Sequence, residues 1–309
     1  MQKYIIQQTL SNYFPKRYNT LTSSGTSALT IILHTLKKIY KNKDEIILPS
    51  VVCPSLLSVI NNLSLKPVFV DMELKYFNMN FGHLKKLINK KTLSVICVHC
   101  YGIAANIEKI QELLKRKKIF LIEDICLNFG GKFKDNYFGS FGDASIVSFG
   151  EDKILNIGGG ALIVKSKSIN DKIRKFLIKN SFFSELSFNK KEFRKKIKSL
   201  NRNILERNSN ARYLHENLFS KSFIKPMYRK NDVYWRYPMI SKINRTKLIR
   251  DAKKIGIIIT SHYPSINRFQ YNSHLKNADI FDKSVINIFV TKQKTKNYLQ
   301  KVCNFLNKR

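Results

Sequence analysis

Four short segments of this chain carry side chains that could bind a phosphate or move a proton. Residues 24–27 (Ser-Gly-Thr-Ser) come directly before a run with helical periodicity, so the free N–H groups of a helix start lie beside three hydroxyls. Asp124 ends an apolar strand, and Ser148 and Lys153 lie between another strand and the glycines at 158–160. Together these residues could hold a phosphate beside a carboxylate and an amine.

Each segment has a plainer interpretation when it is taken alone. A Ser-Gly-Thr-Ser start is also an ordinary helix N-cap, and an aspartate at a strand end is as often a capping residue. Lys153 is one of 43 lysines, so a solvated loop lysine is the common case for any one of them. The chemistry depends on whether the fold brings the segments together.

The elements that must position these segments alternate between short apolar strands and helical stretches. Before residue 165 the periodicity predicts helices at 26–40, 55–63, 84–88 and 107–115, and strands at 45–48, 67–70, 93–98, 119–122, 144–148 and 161–164. Short apolar strands with polar or glycine residues at their ends are typical of a buried parallel sheet, whose carboxyl edge binds ligands. The predicted fold class is α/β with a large, mostly parallel sheet.

The pattern changes after about residue 165. The predicted elements there are lysine-rich helices at 169–178 and 190–218, strands at 234–240 and 257–260, a helix near 246–254 and a last helix at 297–306. This change predicts a large ligand-binding domain over residues 1–200 and a smaller α+β domain over residues 201–309.

In their order along the chain, the phosphate cradle, the strand-end aspartate and the Ser-x4-Lys spacing resemble the fold-type I pyridoxal phosphate enzymes. The detail is similar to the DegT/StrS family of sugar aminotransferases. The similar segments cover most of residues 22–165 and two later stretches: 24–29 (SGTSAL), 45–50 (EIILPS), 66–71 (KPVFVD), 98–102 (VHCYG), 122–124 (IED), 139–143 (GSFGD), 148–153 (SFGEDK), 235–238 (WRYP) and 261–264 (SHYP).

The resemblance implies a role for each matching residue. Lys153 would bond to the aldehyde of pyridoxal 5'-phosphate and later move a proton between substrate and cofactor. Asp124 would keep the pyridine nitrogen protonated, and Ser148 would help to hold the phosphate. The cofactor-binding residues implied in this way are Gly25, Thr26, Ser27, Cys53, Asp124, Cys126, Ser148 and Lys153.

Two positions that line the cofactor in the family are changed here. Cys53 stands where the family has an aromatic residue on the cofactor ring, and Leu127 stands where it has a glutamine that holds the phenolic oxygen. On this alignment Cys53 and Cys126 flank the ring from opposite faces. The glycine run at 158–160 is also shorter than its counterpart in the family, so reduced activity is one expectation.

Three further residues are candidates for substrate binding. His262 and Tyr263 fall where the small domain of the family faces the substrate, although His262 could equally hold a strand end. Asn201, in the Asn-Arg-Asn run 201–203, is the nearest counterpart of a family motif that reaches the phosphate in the neighbouring subunit. The resemblance therefore also implies a homodimer.

Charge leaves two explanations open. The chain carries 56 Lys and Arg against 21 Asp and Glu, a net charge of +35, and residues 161–309 hold 35 of those cations against 9 acids. A coding bias toward A/T-rich codons would produce such lysine, asparagine and isoleucine usage. A selected role in attracting an anion, such as a diphosphate-bearing substrate, would do so as well.

Cysteine usage and hydropathy indicate a soluble cytoplasmic protein. The five cysteines are scattered and odd in number, which argues against a disulfide framework. Cys97 and Cys100 form a C-x-x-C spacing without a second pair at a suitable distance, so no metal site is expected. No apolar stretch approaches the roughly 18 residues of a spanning helix, and no signal peptide is expected.

The resemblance implies an aminotransferase that acts on a nucleotide-linked keto-deoxysugar for a surface polysaccharide such as lipopolysaccharide, with glutamate as amino donor. One alternative is a catalytically impaired protein of the same fold that serves in binding or assembly. The retention of Lys153 and Asp124 argues against it. A basic nucleic-acid-binding protein is the other alternative. It would explain the charge but not the ordered catalytic positions, so no nucleic acid partner is expected.

Overall fold

The structure is a computed structural model that describes residues 2–184, 190–269, 274–291 and 294–309. Its α-helices are α1 (Gln2–Tyr13), α2 (Gly25–Ile39), α3 (Ser55–Asn62), α4 (Phe81–Leu87), α5 (Ile107–Lys117), α6 (Lys167–Lys179), α7 (Lys190–Asn217), α8 (Arg245–Lys254), α9 (Lys276–Ser284) and α10 (Lys296–Asn307). Short 3₁₀ turns lie at Cys100–Gly102, Ser181–Ser184 and Ile266–Phe269.

The strands are short, as expected for buried apolar runs that end at glycine, proline or polar residues. They are β1 (Tyr18–Thr22), β2 (Glu45–Pro49), β3 (Lys66–Val70), β4 (Met72–Glu73), β5 (Asn78–Met79), β6 (Thr92–Val98), β7 (Phe120–Asp124), β8 (Lys132–Phe133), β9 (Asn136–Tyr137), β10 (Ala144–Ser148), β11 (Gly160–Val164), β12 (Phe223–Ile224), β13 (Tyr237–Ser241), β14 (Ile259–Thr260) and β15 (Val285–Ile288).

Seven strands form the large sheet, in the order β1-β11-β10-β7-β6-β2-β3. The five strands from β10 to β3 are parallel to one another, and β11 joins β10 and β1 in antiparallel pairing. Every residue of β6 is buried, because helices cover both faces of the sheet. The predicted α/β class with a mostly parallel sheet is confirmed.

The register of the sheet explains why the functional segments converge. Asp124 at the end of β7 pairs with Ile146 of β10 and with Val98 at the end of β6. Because these strands are parallel, the carboxyl ends of β6, β7 and β10 lie on one edge. Helix α2 packs on β10 and β11, and this packing brings its first turn to the same edge.

A second sheet is built from the later part of the chain, with the antiparallel order β12-β13-β15-β14. The predicted strand at 234–240 begins later, at Tyr237, because Tyr234 has a left-handed backbone with φ +52° and residues 235–236 form a bend. Helix α7 runs without a break through residue 200. A domain boundary at that residue stays a prediction. No helix in the described parts of the chain is long and apolar enough to cross a bilayer.

Candidate active site

A cavity of about 210 Å³ opens at the carboxyl edge of the large sheet. It collects residues from the start of α2, the segment after β2, the ends of β6, β7 and β10, and the loop that follows β10. Seven of the eight implied cofactor-binding residues line it: Gly25, Thr26, Cys53, Asp124, Cys126, Ser148 and Lys153. The fold therefore brings together the four segments, each of which has a plainer interpretation when it is taken alone.

The first turn of α2 forms one end of the cavity. Ser24 caps this helix, since its hydroxyl accepts the backbone N–H of Ser27 at 3.0 Å. The Ser27 hydroxyl lies 2.7 Å from Ser23 Oγ and 3.0 Å from Ser24 Oγ, so it belongs to the cap network rather than to the cavity wall. The start of α2 still offers backbone N–H groups without an intrahelical partner, together with the exposed Thr26 hydroxyl.

Gly25 is required for the close approach of α2 to β10. A Cβ atom at this position would lie 2.9 Å from the Cβ of Ser148 and 3.3 Å from the Sγ of Cys126. Gly160 on β11 is required for the same close approach, because a Cβ atom at this position would lie 2.7 Å from the Gly25 nitrogen. The two glycines let three backbone segments meet at one end of the cavity, and the Ser148 side chain lines that end.

Asp124 lies in the wall of the cavity with only 5% of its surface exposed. Its Oδ1 accepts the backbone N–H of Cys126 at 2.9 Å. Burial raises the pKa of the Asp124 carboxyl group, while the Cys126 N–H and the charge of Lys153 oppose that rise. A buried carboxylate with a raised pKa is suited to share a proton with a basic nitrogen of a ligand.

Lys153 is half-buried and lies between the cavity and the loop that carries it. Its backbone N–H donates to the Gly150 carbonyl at 3.0 Å, and its Nζ lies 5.8 Å from the centroid of the Trp235 ring. The Trp235 indole N–H in turn donates to the Asp152 carbonyl at 2.5 Å. This bond fixes the ring against the loop, so the amine is confined between the ring and the cavity.

The positions that depart from the family pattern also line the cavity. Leu127 places an apolar side chain in the wall where the family has a glutamine. Cys53 is half-buried, with its Sγ 3.2 Å from the Ser55 hydroxyl. Burial raises the pKa of the Cys126 thiol well above its ordinary value. Both thiols face the same cavity, and their placement on opposite faces of a cofactor stays a prediction.

The three weaker candidates separate. Tyr263 lines the cavity, stacks on Trp235 with ring centroids 5.9 Å apart, and donates its backbone N–H to the Tyr101 hydroxyl at 3.4 Å. His262 is exposed and meets Trp235 edge-on at 6.2 Å, outside the cavity wall. Asn201 is exposed on α7 and lines none of the described cavities.

The sequence reasoning missed the part that Trp235 and Arg236 play. Both lie in the segment WRYP, one of the segments that resemble the family. The sequence signal for Arg236 was its place directly before an apolar strand. In the structure Arg236 is buried, with 6% of its surface exposed. Arg236 lines a second cavity that also touches Lys153.

His99, which lies inside the C-x-x-C segment, has a structural role. His99 is fully buried between two partners: its Nε2 lies 3.1 Å from the Glu123 carboxylate, and its Nδ1 accepts the backbone N–H of Ala105 at 3.0 Å. Glu123 also accepts the backbone N–H groups of Gly139, Phe141 and Gly142. No group of three or more possible ligands in the described residues is arranged to hold a metal ion.

Comparison with known proteins places the chain in a family. The sequence profile of the DegT/DnrJ/EryC1/StrS aminotransferase family matches residues 5–307, so the chain belongs to that family. GDP-perosamine synthase of Escherichia coli O157:H7 is 34% identical over 161 residues, which cover 52% of this chain and 44% of that protein. The matched region thus spans less than half the length of this relative.

Solved structures show the same fold at low sequence identity. PseC of Helicobacter pylori, an aminotransferase of pseudaminic acid biosynthesis, has a TM-score of 0.89 at 20% identity and covers all of this chain and 91% of its own. NtdA of Bacillus subtilis, solved with bound cofactor PMP, has a TM-score of 0.85 at 20% identity, covering 99% of this chain and 76% of its own. The expected family, fold type and pyridoxal phosphate cofactor are confirmed.

Proposed function

We propose that this protein is a pyridoxal phosphate-dependent aminotransferase that moves an amino group from glutamate to a keto group of a nucleotide-linked deoxysugar. One observation carries the proposal: Lys153, Asp124 and the first turn of α2 line a single cavity at the carboxyl edge of the sheet. The names of the relatives, GDP-perosamine synthase and PseC, support a sugar substrate, and the proposal includes a role in surface polysaccharide synthesis.

The residues present fit the cofactor from end to end. When bound, pyridoxal phosphate supplies an aldehyde that bonds to amines and a pyridine ring that accepts electrons. The N–H groups at the start of α2 and the hydroxyls of Thr26 and Ser148 bind its phosphate. The Asp124 carboxylate holds a proton on the ring nitrogen. The close approach that Gly25 permits is what gives the phosphate room against backbone rather than side chain.

Lys153 is the residue that moves the proton. With the cofactor bound, its Nζ would take a proton from the substrate carbon that bears the nitrogen, as a general base, and would donate a proton to the cofactor, as a general acid. Confinement between the Trp235 ring and the cavity keeps the amine near these atoms throughout. A lysine suits both duties, since an amine can also bond covalently to an aldehyde.

A homodimer in the cytoplasm completes the proposal. Thr26, in the first turn of α2, lines the cavity and is exposed, and a second copy of the chain would complete the phosphate site there. The soluble nucleotide-linked substrate would be made and used in the same compartment.

The absorbance spectrum of the purified protein tests the cofactor and the lysine together. We expect a visible band in the wild type that is lost in Lys153→Ala and kept in the matched control Lys109→Ala, an exposed lysine on α5. A protein that stays colourless with added cofactor would refute the assignment.

Glutamate then separates an enzyme from a binding protein. Addition of glutamate should convert the band and release 2-oxoglutarate, and a nucleotide-linked keto sugar should restore it with formation of an amino sugar seen by mass spectrometry. A stable band without a response to glutamate favours the impaired binding protein. Steeply salt-dependent binding to DNA or RNA favours the nucleic-acid alternative.

A further inference from the structure

A second cavity of about 720 Å³ adjoins the first and shares Lys153 with it. Its walls come from the loop at 151–156, from α7, from Trp235 and Arg236, and from the segment after β15. It is more than three times the volume of the first cavity, so it has room for a nucleotide-sized molecule.

Arg236 is the unusual residue of this cavity. It is 6% exposed, and its guanidinium carbon lies 4.5 Å from the Trp235 centroid and 3.3 Å from the Phe289 centroid. Its Nε is buried and has no hydrogen-bond partner among the described residues. A buried guanidinium ordinarily satisfies its donors, so this one is incomplete in the protein alone.

A second buried arginine lies next to it. Arg207 is 7% exposed, and its guanidinium donates to Asn203 Oδ1 at 2.9 Å and to the Trp235 carbonyl at 3.0 Å. Burial lowers the pKa of each arginine to about 10, and the charge of Arg236 adds to that effect at Arg207. These contacts are neutral, so they do not balance the charge.

Four carboxylates line this cavity, those of Glu151, Asp152, Glu192 and Glu206, and the two on α7 are paired with other cations. On α7 Glu192 pairs with Lys196 at 3.3 Å, and Glu206 pairs with Arg202 at 3.1 Å. In the described residues no carboxylate forms an ion pair with Arg207 or Arg236; Asp152 acts on Arg236 only at longer range. Two adjacent buried cations without a counter-ion are unfavourable, and an anionic ligand would remove that penalty.

We propose that Arg236, with Arg207 behind it, binds the diphosphate of the nucleotide-linked sugar. This inference rests on the proposed function and adds the residue that selects the substrate. The planar fork of a guanidinium matches two phosphate oxygens, and its stacking between Trp235 and Phe289 fixes the direction of the fork. Lys195 and Lys294 add positive charge along the same cavity.

Distance and size favour a diphosphate over the carboxylate of the amino donor. Trp235 lies beside both cations, with Lys153 Nζ 5.8 Å and the Arg236 guanidinium carbon 4.5 Å from its ring centroid, which limits the gap between them. A sugar ring can bridge such a gap, with its keto carbon at Lys153 and its anomeric phosphate at Arg236. A five-carbon amino acid would leave most of the 720 Å³ cavity unfilled.

Isothermal titration of the cofactor-loaded protein with GDP, UDP and dTDP tests this assignment. At least one of the three should bind, and Arg236→Met should weaken that binding by about 10- to 100-fold, the range for a lost charge-assisted contact. Arg236→Lys keeps the charge but not the fork, so it should give a smaller loss. Arg250→Met is the matched control, since Arg250 is exposed on α8 and lines none of the described cavities.

Three results would overturn the proposal: no binding of any of the three nucleotides, equal binding by R236M and R250M, or a loss of glutamate affinity in R236M as large as the loss for the nucleotide. The last result would assign the arginine to the donor carboxylate. If R236M loses its cofactor band, the nucleotide affinity of R236K is compared with that of R250M instead. Failure of the proposed function is seen separately, as a wild-type band that does not respond to glutamate.

Discussion

Asp124 accepts the backbone N–H of Cys126 through Oδ1 at 2.9 Å, and the same short turn places both side chains in the wall of one cavity. Burial raises the pKa of this carboxyl group, so the ionised form of Asp124 destabilises the folded protein when no ligand is bound. A structural carboxylate would ordinarily be held by stronger partners. The arrangement is that of a group kept for a ligand rather than for stability.

Asp124→Asn should therefore separate stability from activity. A raised pKa in the folded state means that the acid's contribution to stability is present below its ordinary pKa of 3.8 and is lost as pH rises through the folded value. Asparagine cannot lose a proton. The difference in unfolding free energy between D124N and wild-type apoprotein should grow in favour of D124N from pH 4 to pH 8, measured by urea denaturation.

The same variant should transfer amino groups about 100-fold more slowly, because the ring nitrogen loses its charged partner. Single-turnover absorbance with glutamate measures this loss. Asp135→Asn, an exposed aspartate between β8 and β9, is the control and should match the wild type in both experiments. A D124N protein with a wild-type rate would remove Asp124 from the chemistry.

Cys53 should report on occupancy of the cavity. Cys53 and Cys126 are both half-buried in the cavity wall, but desolvation raises the pKa of the Cys126 thiol, which keeps that thiol protonated and slow to react. A neutral maleimide should therefore label the apoprotein at Cys53 first, and bound cofactor should slow this labelling by about tenfold or more. Mass spectrometry of tryptic peptides locates the label.

Two variants keep the labelling experiment specific. Cys53→Ser should abolish the protected signal, and Cys126→Ser should retain it. Equal labelling rates with and without the cofactor would show that Cys53 lies outside the binding site. Protection of Cys126 instead would place the ring nearer the end of β7.

Local sequence signals predicted most elements of the large sheet because its strands are apolar runs bounded by glycine, proline or polar residues. The strand at 144–148 is found with the predicted ends. Helix α4 begins at Phe81 rather than residue 84, because the Asn80 side chain caps it by accepting the His83 N–H at 2.9 Å. Helix α1 and strand β15 were not predicted, because the sequence of α1 is mostly polar and β15 is only four residues long.

The convergence of Gly25, Asp124, Ser148 and Lys153 on one cavity was predictable because their order along the chain is itself a signal. The second cavity was not, since Arg207, Arg236 and Phe289 come from separate segments and meet only when the small sheet is assembled. Ser27 shows a smaller limit. Its type and position fit a phosphate site, yet two neighbouring serine hydroxyls engage its side chain.

Gly25→Ala should disturb the phosphate end of the cavity. The added Cβ would lie 2.9 Å from the Cβ of Ser148, which is closer than two such atoms normally pack, so α2 or β10 must shift. We expect a loss of about 1–3 kcal/mol in unfolding free energy, as for other overpacked sites. Cofactor affinity, followed by the visible band during titration, should fall by about tenfold or more because the N–H groups of α2 move.

Gly82→Ala on α4 is the control for that substitution. Its Cβ would meet only the Asn80 side-chain oxygen, at 3.2 Å, and alanine favours the helix. Its unfolding free energy should stay within about 1 kcal/mol of the wild type, with unchanged cofactor affinity. A G25A protein that binds cofactor as G82A does would place the phosphate elsewhere.

Glu123, the residue before Asp124, should be a stability residue and not a chemical one. Its carboxylate accepts backbone N–H groups from Gly139, Phe141 and Gly142 at 2.7–3.0 Å, and His99 Nε2 lies 3.1 Å away, with the Glu123 and His99 side chains fully buried. In Glu123→Gln an amide NH₂ would face one of these donors. The expected loss is about 3 kcal/mol in urea denaturation. Glu108→Gln, which breaks only an exposed pair with Lys134, should cost about 0.5 kcal/mol or less, and equal losses in the two variants would contradict the buried network.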